Sequence, residues 1–288
     1  MTALGNIHRA IAGHPLTRDR QVETWMRFAA WVMRSRLNRE LTLPWIEEQF
    51  LVVRRGMTGA TGNLYLGLHE FMSMMLTLHF LREGDLFLDV GANVGSYTVL
   101  ASGVSRASTW AFEPDPDTAR DLARNIEING LGDRVVLHQV ALGPHDGSVS
   151  FTRGEGAMNR VASDGDQKVP QRALDSLIGA GAPAMIKLDV EGYEEQALQG
   201  AHRTLAHPAL KVLAMEGTTP SILKLLADNG LERVFYDPFS RGLQRTPNGL
   251  AFVDGKWTPS NEFYVRDWAF VEDRLKSARP INVFGRRI

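Results

Sequence analysis

Cysteine is absent from the 288 residues. Its absence excludes disulfides, zinc–thiolate centres and thiol catalysis, and suits a reducing compartment. No charge of one sign dominates either. The 32 Lys and Arg offset 33 Asp and Glu, leaving a formal net charge of -1 and no global attraction for phosphate backbones or anionic membranes. No stretch reaches the roughly 20 apolar residues of a membrane span, and the N-terminus lacks the apolar core of a signal peptide. A cytoplasmic protein is the expectation. The histidines are scattered, so only Asp189, Glu191 and Glu216 could cluster around a hard cation, and no metal is expected. Repeats and low-complexity tracts are also missing. A hydrophobic content of 44% suffices for one large core, or one core with an appendage.

The chain is organised around residues 86–95, an apolar strand carrying Asp89 and running into Gly91-Ala92-Asn93-Val94-Gly95. Such a run, followed by a helix from near Ser96, reads as a central parallel strand opening a nucleotide-type crevice. The middle glycine of Gly-x-Gly-x-x-Gly, which lets backbone approach a pyrophosphate, is missing. A cofactor without a diphosphate fits better, and S-adenosylmethionine is one. Its amino-acid end can lie against the turn, and its ribose can meet an acid from the next strand. Glu113 supplies that acid. It follows the strand Ser108–Phe112 by one residue and the turn by about 20, as a ribose-binding carboxylate should. Asp115 as N-cap and Pro116 at the first helical position then open a helix that Gly130 stops.

Residues 1–62 read as a helical extension to a domain spanning 63–288. Val22, Trp25, Met26, Ala29, Met33 and Leu37 recur at helical spacing with arginines between them. Three uses are open: docking on the core, dimerisation with a second copy, or a surface for an anionic or lipid-linked substrate. A strand is expected at 50–53. Residues 70–81 are apolar nearly throughout and predict a helix buried on most sides, with His69 and His79 flanking it in packing roles. Residues 134–142 read as one strand, whose end (Gln139, Val140, Ala141) should lie beside the cofactor base. A turn at 143–147 then starts a hairpin strand at 148–152. The polar run 153–167 is a loop or a substrate lid. Further strands are expected at 212–215, 234–236, 250–253 and 263–265, with a helix capped by Thr219 and Pro220.

The second informative stretch is residues 185–194, where Met-Ile-Lys-Leu leads into Asp189-Val190-Glu191-Gly192-Tyr193-Glu194 and a helix with Ala197, Leu198, Ala201 and Leu205 on one face. A helix dipole accounts for Glu194 and Glu195. It does not account for Lys187 and Asp189, which stand at the crevice edge. Taken with 88–95, Glu113-Pro114 and 141–143, this stretch resembles the FkbM family of S-adenosylmethionine-dependent methyltransferases over roughly residues 63–255. Lys-x-Asp-x-Glu-Gly is the most specific part. The resemblance implies an α/β fold, a class I methyltransferase sheet of seven mostly parallel strands with helices on both faces. It also implies methyl transfer to a hydroxyl of a sugar, glycolipid or polyketide.

The candidate cofactor site is thus Asp89, Gly91, Ala92, Asn93, Gly95, Glu113, Pro114, Gln139, Val140 and Ala141. Asp189, with Glu191 and Lys187, is the candidate catalytic group, as base or metal ligand. A small-molecule or glycan acceptor is expected, and not nucleic acid, since 153–167 offers donors such as Asn159 and Arg160 but no stacking aromatics. Alternatives are another small-molecule hydroxyl or nitrogen, or a non-catalytic cofactor-binding protein. A nicotinamide dehydrogenase is opposed by the missing glycine. Asp237-Pro238-Phe239 is only a late fragment of a nucleic-acid methyltransferase tetrad.

Overall fold

The computed structural model describes residues 3–154, 159–246, 252–253, 256–257 and 261–288. The chain begins with helices α1 (Ala3–Gly13) and α2 (Gln21–Leu37), the hairpin β1 (Leu41–Pro44) and β2 (Phe50–Val53), and helices α3 (Thr58–Leu66) and α4 (Phe71–Phe80). Every residue of α4 is buried, as its apolar run requires. His79 lies inside this helix, its Nδ1 2.5 Å from the Tyr236 hydroxyl. Burial lowers its pKa to about 4, so it packs as a neutral ring.

The first crossover unit comprises β3 (Leu86–Val90), α5 (Ser96–Val99, continued by a π-helical turn over Leu100–Val104), β4 (Ser108–Phe112), α6 (Pro116–Ile128) and β5 (Val135–His138). Asp115 caps α6 by accepting the amides of Asp117 and Thr118 at 3.0 and 2.8 Å. A small sheet follows, formed by β6 (Ala141–Leu142), β7 (Gly147–Phe151) and β8 (Gln167–Arg172). The remaining elements are α7 (Leu174–Leu177), β9 (Met185–Leu188), α8 (Glu194–Gln199), α9 (His202–Ala206), β10 (Val212–Glu216), α10 (Pro220–Asp228), β11 (Glu232–Asp237), β12 (Gly242–Gln244), β13 (Phe252–Val253), β14 (Lys256–Trp257), β15 (Asn261–Val265), α11 (Trp268–Lys276), β16 (Asn282–Val283) and β17 (Arg286–Arg287).

The main sheet runs β12-β11-β15-β10-β9-β3-β4-β5. Strands β5, β4, β3, β9 and β10 are parallel, and β15 is antiparallel to both β10 and β11. This is the mostly parallel class I methyltransferase sheet that the motifs imply, with β12 added as an eighth, edge strand. Alternation along the strands sends Phe87, Met185, Val212 and Ala214 into one apolar layer, and Leu88, Ile186, Leu213 and Met215 into the other. The order reverses between β3 and β9, and ligand crevices open at such a switch point.

Two expected elements are split. The strand expected over 134–142 ends at His138. A backbone bond from Val140 N–H to the His138 carbonyl (2.9 Å) turns the chain, and Ala141–Leu142 pairs instead with Gln171 and Arg172 of β8. The helix expected through Leu205 breaks between α8 and α9. At the break, the Gly200 carbonyl accepts the Asp175 amide (2.9 Å), and a Cβ on Gly200 would collide with the Gly143 carbonyl oxygen. Leu250 and Ala251 of the strand expected at 250–253, and residues 155–158 of the polar run, lie outside the described residues.

The 62/63 boundary falls inside α3, and the N-terminal segment shares the main core: Leu16, Trp31, Trp45, Ile46, Leu51 and Val53 belong to the same apolar layer as Phe87 and Met185. However, α2 docks through Thr24, Trp31 and Ser35, while Val22, Met26, Met33 and Leu37 face solvent. The apolar stripe read from the sequence is therefore not the face that meets the core. The hairpin is attached by Asn125 of α6. Its buried side chain accepts the Val52 amide (2.8 Å) and donates to the Val94 carbonyl (2.8 Å). Asn125→Ala leaves both groups buried without partners, so urea unfolding should show a loss of about 2–4 kcal/mol. An unchanged unfolding midpoint would mean that the hairpin is not integral to the fold.

Candidate functional site

The site lies where β3, β4, β9 and β10 end. Gly91, with φ +77°, lets the turn pass against β9, since a Cβ there would overlap the Asp189 carbonyl oxygen. Asn93 takes the left-handed conformation (φ 51°), which asparagine tolerates better than most residues. Its backbone N–H donates to Glu113 Oε2 (2.9 Å), and the Asp115 N–H donates to Glu113 Oε1 (2.9 Å). Glu113 thereby fixes the turn to the end of β4 while facing the cavity. Each of its oxygens retains a lone pair for a further donor.

A cavity of about 270 Å³ extends from this turn. At one end it is lined by residues 90–94, Ser96, 112–114, Thr118 and 140–142. At the other stand His69, Glu70, Tyr97, Lys187, Asp189, Glu191, Tyr193 and Glu216. Of the cofactor residues expected from sequence, Gly91, Ala92, Asn93, Glu113, Pro114, Val140 and Ala141 line it. Asp89, Gly95 and Gln139 do not. Asp89 is wholly buried beneath the turn, accepting the Thr98 hydroxyl at 2.6 Å. Gly95 instead opens α5, where a Cβ would press on Leu122. Gln139 sits exposed at the break after β5, because the chain leaves the main sheet one residue earlier.

The three expected catalytic residues, Lys187, Asp189 and Glu191, do come together. Lys187 Nζ lies 2.7 Å from Asp189 Oδ2 and is only 3% exposed. It also stands over the Tyr97 ring at 4.5 Å and opposite Asp89 in register. Burial works against the ammonium, but Asp189, Glu70 and Asp89 outweigh it and hold its pKa above the usual lysine value. Burial would also lift Asp189, yet Lys187 prevails and keeps that carboxyl below its usual range. Glu216 is hydrogen-bonded to Asp189, and burial followed by the Asp189 charge pushes it up to about 7. Carboxylate oxygens of Asp189, Glu191 and Glu216 lie within 4.8 Å of one another. Glu191 adopts φ 53°, and Glu194 holds its loop by accepting the Gly192 amide at 3.1 Å. The arrangement offers an ionised carboxylate, a second carboxyl that titrates near neutrality, and a fixed cation behind them.

Several lining residues escaped the sequence reading. Glu70 accepts the Tyr97 hydroxyl (2.7 Å) and the Asn261 side-chain amide (3.0 Å), drawing the N-terminal end of α4 to the site. His69, expected in a packing role, lines the cavity. Buried Asn63 donates to Ser96 (3.1 Å), linking α3 to the start of α5. Glu216, which the sequence reading groups with Asp189 and Glu191, stands two residues after Ala214, Lys187's register partner. It therefore lies on the same sheet face, beside Asp189. From the polar run, Asn159 and Val161 reach the cavity, as does neighbouring Phe151.

Glu113 also sets a pH dependence. Burial raises its pKa from 4.5 to about 7 against the pull of the Asp115 and Asn93 amides. Between these values the folded chain binds more protons than the unfolded chain. The stability that Glu113 contributes is therefore complete below pH 4.5 and lost as pH rises through about 7. Unfolding free energy should fall by about 2–3 kcal/mol more in the wild type than in Glu113→Gln between pH 5 and 8. Equal slopes for the two proteins would refute the shift.

Against known proteins, residues 89–230 match the family described as Methyltransferase FkbM domain. The hexuronic acid methyltransferase AglP of Haloferax volcanii is 29% identical over 161 residues, covering 53% of this chain and 66% of that protein. The chain thus spans just under two thirds of that relative's length. Among solved structures, the precorrin-6y C5,15-methyltransferase of Geobacter metallireducens is 18% identical, covering 58% of this chain and 75% of that one, with a TM-score of 0.39. An RNA methyltransferase of Salinibacter ruber in complex with S-adenosyl-L-homocysteine is 14% identical, covering 68% and 91%, with a TM-score of 0.37. Strand order and the 89–230 match, with the glycine turn and the Lys-x-Asp-x-Glu-Gly segment inside it, agree. Residues 89–230 are a methyltransferase domain of the FkbM family.

Proposed function

We propose that the chain transfers a methyl group from S-adenosylmethionine to a hydroxyl of a sugar-bearing small molecule or glycan. The observation carrying this reading is that one cavity joins the glycine turn and Glu113 to the Lys187, Asp189 and Glu216 cluster. The free lone pairs of Glu113 suit a ribose diol. Val140, Ala141 and Leu142 offer an apolar wall for the base, and the turn at 91–94 offers backbone to the amino-acid end. When bound, S-adenosylmethionine supplies a methyl already activated by its sulfonium. The chain has only to align the acceptor oxygen and take its proton.

Asp189 and Glu216 take that proton as a pair, because a carboxyl poised near neutrality is better matched to the task than an isolated low-pKa acid. Lys187 holds Asp189 in place. Glu70, Asp189, Glu191 and Glu216 give this end of the cavity hydrogen-bond acceptors for the hydroxyls of a sugar. The hexuronic acid methyltransferase among the relatives favours a sugar. A near-neutral net charge gives no pull toward a phosphate backbone.

Glu113→Ala should weaken S-adenosylmethionine binding in calorimetry by about 1.5–3 kcal/mol. Unchanged affinity in a folded variant would remove Glu113 from the donor site. Asp189→Asn and Glu216→Gln should each lower turnover by roughly 10²–10⁴ while leaving donor affinity intact. The readout is S-adenosylhomocysteine formed with glycan, glycolipid, polyketide and RNA pools. Labelling of RNA alone would overturn the acceptor class. Activity lost on chelation and restored by a divalent cation would reassign the acids as ligands.

A further inference from the structure

We propose that α2 is the seam of a two-fold symmetric homodimer, packed antiparallel against α2 of a second copy with residues i and j facing where i + j is about 59. At about 100° per residue, the buried residues Thr24, Trp31 and Ser35 form one face of α2. Val22, Met26, Ala29, Met33 and Leu37 form a stripe on the opposite face. The stripe is exposed: Val22 by 75%, Met26 by 60%, Met33 by 61% and Leu37 by 80%. Trp25, Ala29, Val32 and Met33 also line a shallow apolar groove along it. A stripe of large apolar side chains left in water marks an interaction surface.

The spacing of the stripe selects the occupant. Reversed end to end, it matches itself: Val22 meets the partner's Leu37, Met26 meets the partner's Met33, and Ala29 meets the partner's Ala30. An isologous contact requires this self-complementarity. The small residues fall at the centre, where two helix backbones approach most closely. The flanks match as well. A two-fold axis across the seam brings like edges together, so Glu23 faces the partner's Arg34 on one edge and Trp25 faces the partner's Arg36 on the other. The first is an ion pair and the second a cation–π contact. Within the chain Glu23 pairs with Arg20 at 3.3 Å and acts on the charge of Arg27, while neither Arg34 nor Arg36 has an acidic partner among the described residues. An anionic lipid surface would accept the arginines but has no use for the mirrored spacing, nor for Glu23 on the contact edge.

The cysteine-free sequence makes the register directly testable. In single-cysteine variants of the full chain, Ala29→Cys should form an intermolecular disulfide under mild oxidation, because its two copies are offset by about one residue along the seam. Leu37→Cys alone should not, since its copies are about 22 Å apart at 1.5 Å per residue. Mixing Met26→Cys with Met33→Cys should produce the mixed link. By sedimentation the wild type should be dimeric. Met26→Glu, with circular dichroism and Tm unchanged, should raise the dimer Kd by about 10- to 100-fold. Glu23→Arg and Arg34→Glu should each weaken the dimer, and the double variant should restore it. A wild-type chain that is monomeric at about 100 μM overturns the proposal, even if it co-sediments with phosphatidylglycerol vesicles. Linking of Leu37→Cys alone as efficiently as Ala29→Cys overturns the register.

Discussion

The ion pair between Lys187 and Asp189, at the seam of β9 and β3, is the interaction on which the rest of the site depends. A lysine 3% exposed cannot stay charged inside a protein unless acids surround it. Here they come from three elements: Asp89 on β3, Glu70 at the start of α4 and Asp189 after β9. Strand periodicity makes this convergence possible. Asp89 follows Phe87 by two residues, Lys187 follows Met185 by two, and Glu216 follows Ala214 by two, so all three share one sheet face. Asp189, the nearest to the ammonium, stays ionised, and burial with the Asp189 charge pushes its hydrogen-bond partner Glu216 up to about 7. One buried cation thus fixes the charge of Asp189, and that charge in turn raises Glu216.

The glycine turn obeys a second constraint, namely space. The β3 and β9 backbones come so close beyond Val90 that only a residue without Cβ fits at position 91. In the turn that results, the Gly91 and Ala92 N–H groups donate to the Phe112 carbonyl and the Asn93 N–H donates to Glu113. Burial makes that carboxyl costly to ionise, and the two amides partly offset the cost. Glu113 is in this way both a structural clasp and the carboxylate facing the cavity. The two roles are separable because each of its oxygens can accept more than one bond.

Outside the sheet, buried asparagines do the joining. Asn125 ties the hairpin to the glycine turn through Val52 and Val94, and Asn63 ties α3 to Ser96. Both turn a contact between backbone segments into a directional one, which apolar packing alone does not supply. The N-terminal segment is built into the same core as the sheet, and α2 contributes to that core by only one of its two faces.

The local pattern determined much of this by itself. Unbroken apolar runs ending in acids gave the parallel strands, and Asp115-Pro116 and Thr219-Pro220 gave helix starts. The Gly91 turn, with Glu113 one strand away, gave one end of the cavity, while Lys187, Asp189 and Glu191 gave its other end. Only the tertiary structure decided the rest. Glu70, His69 and Tyr97 reach the site because α4 and α5 pack over one sheet face, and no short-range periodicity encodes which helix end meets which strand. Gln139 leaves the cavity because β8 captures Ala141 and Leu142, a pairing settled by a strand some thirty residues later. The α2 stripe identifies a helix but not which side the core will take: the side that docks carries Trp31 between the polar Thr24 and Ser35. Spacing fixes which residues share a face; what meets each face is set by surfaces distant in sequence.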